Sequence, residues 1–210
     1  MLDDTQLAEA EELFESKNRQ STFHFQQTSR LDQLKSFFQA RKHQQSFEDC
    51  WMFHDGKNID RSKFNQVKKV ESEEDLLVFL ETMNLCFQKG DPQNPYGELG
   101  AYLTVAREGW LKHHGTDRLQ YFLVYKQDQP VAVASLTTFK KLGYISNVGS
   151  LQSVRGQGFG KLATLFCVDQ SIRNENTYHF LGTEEGNYPY EFYKRLGFVN
   201  RFRAIGLSKK

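Results

Sequence analysis

Three glycines at alternate positions, Gly156, Gly158 and Gly160, restrict the fold of this chain more than any other feature of its sequence. They lie between a predicted strand at Tyr144–Leu151 and a predicted helix at about Phe159–Asn174. Because glycine has no Cβ, the backbone there can turn tightly and come close to a ligand. Successive N–H groups at a helix start then form a concave anion site, best suited to a phosphate or pyrophosphate.

Two cations flank the glycines, and other known glycine motifs fit the segment less well. Arg155 and Lys161 add positive charge, which disfavours a plain glycine turn. A Walker A loop requires G-x-x-x-x-G-K-[ST], but Gly156 to Gly160 is one residue short and Leu162 stands where a hydroxyl is needed. A Rossmann fingerprint also fails, because the third glycine comes one residue early and no acidic residue ends a following strand at the required distance.

Two sequence blocks in register resemble a known family. Arg155, Gly158 and Gly160 match [RQ]-x-x-G-x-[GA], and the segment YKRLGF at 193–198 matches Y-x-x-[LV]-G-F. With this spacing, both blocks resemble the GCN5-related N-acetyltransferases (GNAT), where the first follows the fourth strand and the second closes the fourth helix. The order of predicted elements from Phe64 onward also resembles the family fold.

The resemblance implies an α/β fold with a mixed, mostly antiparallel twisted sheet flanked by helices, the acyl-CoA N-acyltransferase fold. The alternation of predicted strands and helices independently indicates an α/β sheet. The predicted helices include Leu2–Glu15, 30–43 and one that Ser72 caps, and the predicted strands include Thr22–Gln26, Cys50–Phe53, Phe64–Val70 and one or two within Phe198–Leu207.

By the same resemblance, the co-substrate is acetyl-CoA. Its pyrophosphate would lie on the backbone of the glycine loop, and its pantetheine arm would pair with the preceding strand. The residues so assigned are Val148, Gly149, Ser150, Arg155, Gly156, Gln157, Gly158, Phe159, Gly160 and Lys161. Many family members have an asparagine seven residues before the tyrosine. That position is Gly186 here, so the neighbouring Asn187 is the candidate.

The implied reaction is direct attack of a neutral amine on the thioester, with a backbone N–H of the fourth strand stabilising the oxyanion. Tyr193 matches the tyrosine that often protonates the leaving thiolate, and the alternative is a core tyrosine. Glu184 or Glu185 could act as the base, directly or through water, and the alternative is a solvated turn. Because a thiol has a pKa of about 8.5 and tyrosine about 10, the phenol should act mainly as a hydrogen-bond donor unless its pKa is lowered locally.

The composition excludes several classes of protein. The 210 residues carry 27 Lys/Arg and 26 Asp/Glu, and this balance argues against a nucleic-acid binder. The longest purely apolar stretch, Leu76 to Leu80, is far too short to cross a membrane, and the acidic N-terminus is unlike a signal peptide. The three cysteines include no CxxC pair, and the six histidines show no metal spacing, so we expect a cytoplasmic protein without a metal.

The first 60 residues differ from the rest and are predicted to form a separate domain, 1–60, ahead of an acetyltransferase domain at 61–210. Residues 1–60 carry seven Lys/Arg against eleven Asp/Glu and one glycine of the 15. Their predicted strand, helix and strand resemble a degenerate half of a second acetyltransferase domain.

Two functions of different class remain open. The first is an N-acetyltransferase acting on a small-molecule or protein amine. The second is a non-catalytic acyl-CoA-binding regulatory module on the same fold. We further expect no nucleic-acid or membrane partner, and the resemblance allows a homodimer.

Overall fold

A computed structural model describes residues 3–209, and Met1, Leu2 (where the predicted first helix begins) and Lys210 lie outside the described residues. The chain falls into two compact units. One comprises the residues up to Trp51 together with those from Asn200, and the other is Met52–Val199. These bounds differ from the predicted division at residue 60, since the second unit begins at Met52. The residues from Asn200 join the first unit because the last strand pairs with the first.

The first unit combines two helices with three strands or parts of strands. It holds α1 (Asp4–Glu15), β1 (Thr22–Gln26), α2 (Leu31–Gln39), most of β2 (His43–His54) and nearly all of β8 (Val199–Lys209). Strand β8 lies between β1 and β2 and runs antiparallel to β1. Its buried core consists of Leu7, Leu31, Phe38, Ile205 and Leu207.

The second unit continues from the end of β2. Its further elements are β3 (Val67–Lys69), α3 (Glu73–Cys86), α4 (Tyr102–His113), β4 (Leu119–Lys126), β5 (Gln129–Phe139), β6 (Leu142–Ser150), α5 (Phe159–Arg173), β7 (Tyr178–Thr183) and α6 (Tyr188–Arg195). No helix among residues 3–209 is long and apolar enough to span a membrane.

The sheet of the second unit has helices on both faces. Its strands lie in the order β7-β6-β5-β4-β3, with β6 and β7 parallel and the other neighbouring pairs antiparallel. Alternate residues of β4 point to opposite faces: Phe122 and Val124 join the core under α5, whereas Tyr121 and Leu123 join the core under α3 and α4. The predicted mixed, mostly antiparallel sheet flanked by helices is confirmed.

Local sequence signals explain where α3 begins and what two strand predictions missed. The Ser72 side chain accepts a hydrogen bond from the Asp75 N–H at 3.1 Å, as predicted. The prediction of a strand from Phe64 was wrong at its start, because residues 64–66 form a 3₁₀ turn and the strand begins at Val67. Strand β2 begins at His43, whereas the sequence predicted a start at Cys50. The prediction missed the first half of the strand because those residues are polar and mostly exposed and so show no apolar pattern.

Strands β6 and β7 diverge, and this divergence creates the site. Their parallel pairing covers three residue pairs and ends at Tyr144 opposite Phe180. Strand β6 nevertheless continues to Ser150 and β7 to Thr183. The backbone edge of β6 beyond Tyr144 is therefore left open toward the gap.

A β-bulge in β6 accompanies the divergence. The register between β5 and β6 shifts between Val133 and Ser135, opposite Asn147, whose φ is +54°. Asparagine tolerates this left-handed conformation better than most residues, and a bulge bends its strand and increases the local twist. The Asn147 side chain fixes the bulge, since it donates to Ser135 Oγ at 3.0 Å and accepts from the Tyr102 hydroxyl at 3.1 Å.

Candidate active site between β6 and β7

A cavity of about 420 Å³ lies where β6 and β7 diverge, within the second unit. It brings together the end of β6, the glycine loop, the start of α5, helix α6 and part of the connection between α3 and α4. Its lining residues are Cys86, Phe87, Gln93, Asn94, Tyr96, Val148, Gly149, Ser150, Val154, Arg155, Gly156, Gly158, Phe159, Gly160, Lys161, Tyr188, Pro189, Phe192, Tyr193, Arg195 and Leu196.

The glycine loop presents backbone donors to this cavity. Gly156 and Gly158 have φ values of +77° and +90°, and a Cβ at either would meet no atom within 4 Å. The first i−4 bond of α5 is from Leu162 N–H to the Gly158 carbonyl at 2.9 Å, so the N–H groups before Leu162 lack an intrahelical acceptor. The first turn of α5 carries no acidic residue. This helix start therefore suits an anion supplied from outside the chain.

The two cations beside the loop have different environments. Arg155 donates two hydrogen bonds to the Asp91 carboxylate, whose side chain is 1% exposed while that of Arg155 is 18% exposed. Hydrogen bonding from Arg155 holds the pKa of Asp91 at about 2, and Asp91 raises the pKa of Arg155. The charge of Arg155 is thus compensated within the chain, whereas Lys161 is exposed on the cavity wall.

Helix α6 places Tyr193 in the cavity through its C-terminal cap. The N–H of Gly197 bonds to the Lys194 carbonyl at 3.1 Å, and the N–H of Phe198 bonds to the Tyr193 carbonyl at 3.1 Å. With φ of +96° at Gly197, this is a Schellman cap, which accounts for the Leu-Gly-Phe block in the sequence. The Tyr193 ring packs edge-on against Phe198, with centroids 5.7 Å apart.

The Tyr193 hydroxyl is able to donate a hydrogen bond to a bound molecule. It makes no hydrogen bond with another residue in the part of the chain that the structure describes. Burial, followed by the neighbouring phenols of Tyr96 and Tyr144, raises the pKa of Tyr193 above its ordinary value. The condition for full proton transfer, a lowered pKa, is therefore not met, and the phenol is suited to hydrogen-bond donation instead.

Sequence reasoning missed Cys86 and Tyr96, which line the cavity, and Asp91, which bonds to the cavity residue Arg155. Cys86 packs against Gly149, where a Cβ would lie 2.7 Å from the Cys86 Cβ, and burial raises the pKa of its thiol to about 12. Tyr96 forms a hydrogen bond between its hydroxyl and Thr183 Oγ1 at 3.1 Å. All three lie in or next to the connection between α3 and α4, where no motif marks them.

Some predicted site residues are not brought to the cavity. Among residues 3–209, Gln157, Glu184 and Asn187 do not line it. Gln157 Oε1 accepts from Lys126 at 3.0 Å, and Asn187 donates to Glu184 Oε2 at 2.9 Å at the start of α6. The other residues assigned to acetyl-CoA from the sequence, from Val148 to Lys161, all line the cavity.

Comparisons with known proteins agree with this geometry. Residues 78–198 match the family model described as "Acetyltransferase (GNAT) family". The structure is similar to a GCN5-related N-acetyltransferase from Kribbella flavida, with 17% identity and a TM-score of 0.66 over 98% of this chain and 74% of that one. A functionally unknown conserved protein from Staphylococcus epidermidis gives 15% identity and 0.65 over 100% and 81%. No functionally curated protein matches the sequence.

A third similar structure is a tandem GNAT protein from the clavulanic acid biosynthesis pathway, with 14% identity and a TM-score of 0.59 over 97% of this chain and 68% of that one. At these identities the structural similarity establishes the fold alone. The diverging parallel strands beside a glycine-rich helix start define the class of acyl-CoA N-acyltransferase folds. The family model covers more than half of the chain, which belongs to the GNAT acetyltransferase family.

Proposed function

We propose that this protein is an N-acetyltransferase that moves the acetyl group of acetyl-CoA to a primary amine by direct attack. One observation carries the proposal: the open glycine loop and Tyr193, whose hydroxyl makes no hydrogen bond with another of the described residues, line the same cavity. The first feature suits a pyrophosphate and the second suits a leaving thiolate. Their common location supports an enzyme over a binding module.

The residues present fit the binding of acetyl-CoA. The N–H groups of Gly156 and of residues 158–161 would donate to the pyrophosphate, with Lys161 adding charge, whereas the Gln157 N–H already donates to the Val154 carbonyl at 3.2 Å. The open edge of β6 at Val148–Ser150 would pair with the pantetheine arm as an added strand. Gln157 and Asn187 would contribute less, because both side chains are engaged outside the cavity.

In the reaction, the amine nitrogen forms a bond to the thioester carbonyl carbon, and the carbon–sulfur bond then breaks. The nitrogen loses one proton and the departing sulfur gains one, so the products are an amide and free coenzyme A. Tyr193 would donate a hydrogen bond to the sulfur as charge develops there. A backbone N–H of β6 would stabilise the oxyanion.

A water chain is the stronger candidate for removing the proton from the amine. Glu184 is exposed and hydrogen-bonded to Asn187 rather than directed into the cavity. A role for Glu184 as the base would therefore run through water. Glu184→Gln should accordingly lower kcat by much less than Tyr193→Phe.

The test combines acetyl-CoA binding with turnover. Calorimetry should show binding to the parent and to Gly160→Ala, whose Cβ would lie 3.5 Å from Phe192, an ordinary contact. Gly160→Val should lose binding while remaining folded, since its additional carbons reach further across the cavity. Release of free thiol in a panel of amines should identify acceptors. Binding without turnover of any amine would favour the regulatory module, and absence of binding would refute both functions.

The N-terminal residues and the location of the protein are further parts of the proposal. We propose that residues 1–60 are a degenerate half acetyltransferase domain, which the similarity to a tandem GNAT protein supports. The reduced, buried cysteines Cys50, Cys86 and Cys167 support a reducing, cytoplasmic environment. A homodimer, and the absence of nucleic-acid and membrane partners, remain predictions.

A further inference from the structure

Tyr96 reaches the cavity from a loop, not from a helix or a strand. Tyr96 is 53% exposed, and its hydroxyl is hydrogen-bonded to Thr183 Oγ1 at the end of β7. Its phenol lies close enough to Tyr193 to contribute to the raised pKa there. A side chain at this position would drift with its loop unless other contacts fixed the loop.

A continuous series of contacts connects Tyr96 to the glycine loop. Arg155 holds the Asp91 carboxylate through two hydrogen bonds. Asp91 organises the next turn, because its Oδ1 accepts from Gln93 N–H and its carbonyl accepts from Asn94 N–H, both at 3.0 Å. The Asn94 side chain in turn accepts from the Tyr96 N–H at 3.2 Å. Each contact restricts the backbone immediately before Tyr96.

We propose that Asp91 and Arg155 form a positioning pair that holds Tyr96 against the end of the cavity where the Tyr193 hydroxyl lies. The proposal rests on the proposed function in treating that end as the reacting end. A planar guanidinium bound by two parallel hydrogen bonds fixes direction as well as distance. Because the Asp91 side chain is 1% exposed, loss of either partner leaves a buried charge unpaired, and the loop relieves this by moving.

The proposal assigns Arg155 a role different from a phosphate ligand. An arginine that binds phosphate would affect acetyl-CoA affinity when replaced, and replacing Asp91 would free it to bind more tightly. A positioning pair instead makes Asp91 and Arg155 equivalent. Replacement of either one, or of both, should displace Tyr96 to the same extent.

The test follows Tyr96 directly, by ¹⁹F NMR of protein labelled with 3-fluorotyrosine at its nine tyrosines. The Tyr96 resonance is assigned by its loss in Tyr96→Phe. Asp91→Asn, Arg155→Gln and the double variant should each shift or broaden that resonance. The change in the double variant should be no larger than the change in either single variant. Asp91→Glu, which keeps the carboxylate, should restore it in part. The matched control is Glu175→Gln, which removes an exposed ion pair with Lys141 and should change nothing.

Acetyl-CoA titration of the same variants separates the two roles of Arg155. A positioning pair predicts affinities within about threefold of the parent for Asp91→Asn and Arg155→Gln, a difference below about 1 kcal/mol. The proposal is overturned if Arg155→Gln alone weakens binding more than tenfold while the Tyr96 resonance stays in place. Should Asp91→Asn fail to fold, Arg155→Lys, which keeps the charge but not the two-pronged contact, takes its place. If the parent binds no acetyl-CoA, the proposed function fails. The NMR comparison would still show whether Asp91 and Arg155 position Tyr96.

Discussion

Glycines in β6 and glycines in the loop that follows it serve opposite purposes. A Cβ at Gly143 would lie 1.9 Å from Ser171 Oγ, and one at Gly149 would lie 2.7 Å from the Cys86 Cβ. A Cβ at Gly156 or Gly158 would meet no atom within 4 Å. In the strand, glycine makes room for another part of the protein. In the loop it leaves room that no described part of the chain fills, which is what a ligand site requires.

The polar groups near these glycines differ in the same way. Ser171, beside Gly143, is hydrogen-bonded to His179 at 2.8 Å and to Asn176 at 3.1 Å. At the loop, by contrast, the N–H groups at the start of α5 have no intrahelical acceptor. The polar groups of the strand region therefore bond to one another, whereas the N–H groups of the loop region need an acceptor from a bound molecule. Changes in the strand region should affect stability alone, and changes in the loop region should also affect binding or rate.

The largest expected effect is in the strand region. Gly143→Ala should lower the free energy of unfolding by about 3 kcal/mol, because its methyl group must displace a hydrogen-bonded Ser171. Urea denaturation of this variant beside Gly160→Ala, which should lose little stability, measures the difference. A loss below about 1 kcal/mol would show that β6 shifts easily and would argue against the difference between the glycines of the strand and those of the loop.

The next effect concerns the cavity. Tyr193→Phe should lower kcat by about 10²-fold with acetyl-CoA affinity and stability nearly unchanged, because the ring stays packed and only the donor is lost. Tyr190→Phe on the same helix is the matched control, since Tyr190 packs on the same core but, unlike Tyr193, does not line the cavity. Steady-state kinetics with an acceptor from the amine panel would measure both. Turnover within twofold of the parent would make Tyr193 a packing residue and leave proton delivery to water.

A third effect is in the glycine loop. Gly158→Ala should weaken acetyl-CoA binding about tenfold, equivalent to about 1.4 kcal/mol. It should also cost about 1–2 kcal/mol of stability, because φ of +90° is unfavourable for a residue with a Cβ. Calorimetry and denaturation of one preparation separate the two losses. Lost stability with unchanged affinity would mean that the loop only shapes the fold.

The smallest effect is pH dependence in the strand region. Burial lowers the pKa of His54 and of His179, so the folded chain binds fewer protons than the unfolded chain below pH 6.5. The free energy of unfolding should therefore be level above that pH and fall as the pH is lowered. Protonation would also remove the bond that His54 Nδ1 accepts from Gly56 N–H at 2.9 Å. Denaturation curves from pH 7.5 to 5.5 should show a smaller slope for His179→Asn, and an equal slope would contradict this assignment.

Features whose physical cause lies within a few neighbouring residues were predictable from sequence. The Ser72 cap and the helix start after Gly158 each depend on contacts within one turn, and both lie where the sequence predicted them. The residues of the loop that line the cavity follow from the same local geometry.

Features that depend on distant partners were not predictable. Asp91 and Arg155 are 64 residues apart, and no sequence pattern around either residue predicts their contact. The exposed half of β2 is polar, so only its pairing with β8 makes it a strand. The placement of Glu184 depends on Asn187 and on the direction in which the chain leaves β7.

The raised pKa of Cys86 affects whether this cysteine could react with the thioester that we propose binds beside it. Thiol–thioester exchange would move an acetyl group onto a cysteine and leave the protein acylated, and only the thiolate is nucleophilic enough for this exchange. Because burial raises the pKa of Cys86 to about 12, this thiol stays protonated at neutral pH. The burial that packs Cys86 beneath β6 would therefore also protect the proposed acetyl-CoA site from self-acylation and keep the activated acyl group for an incoming amine.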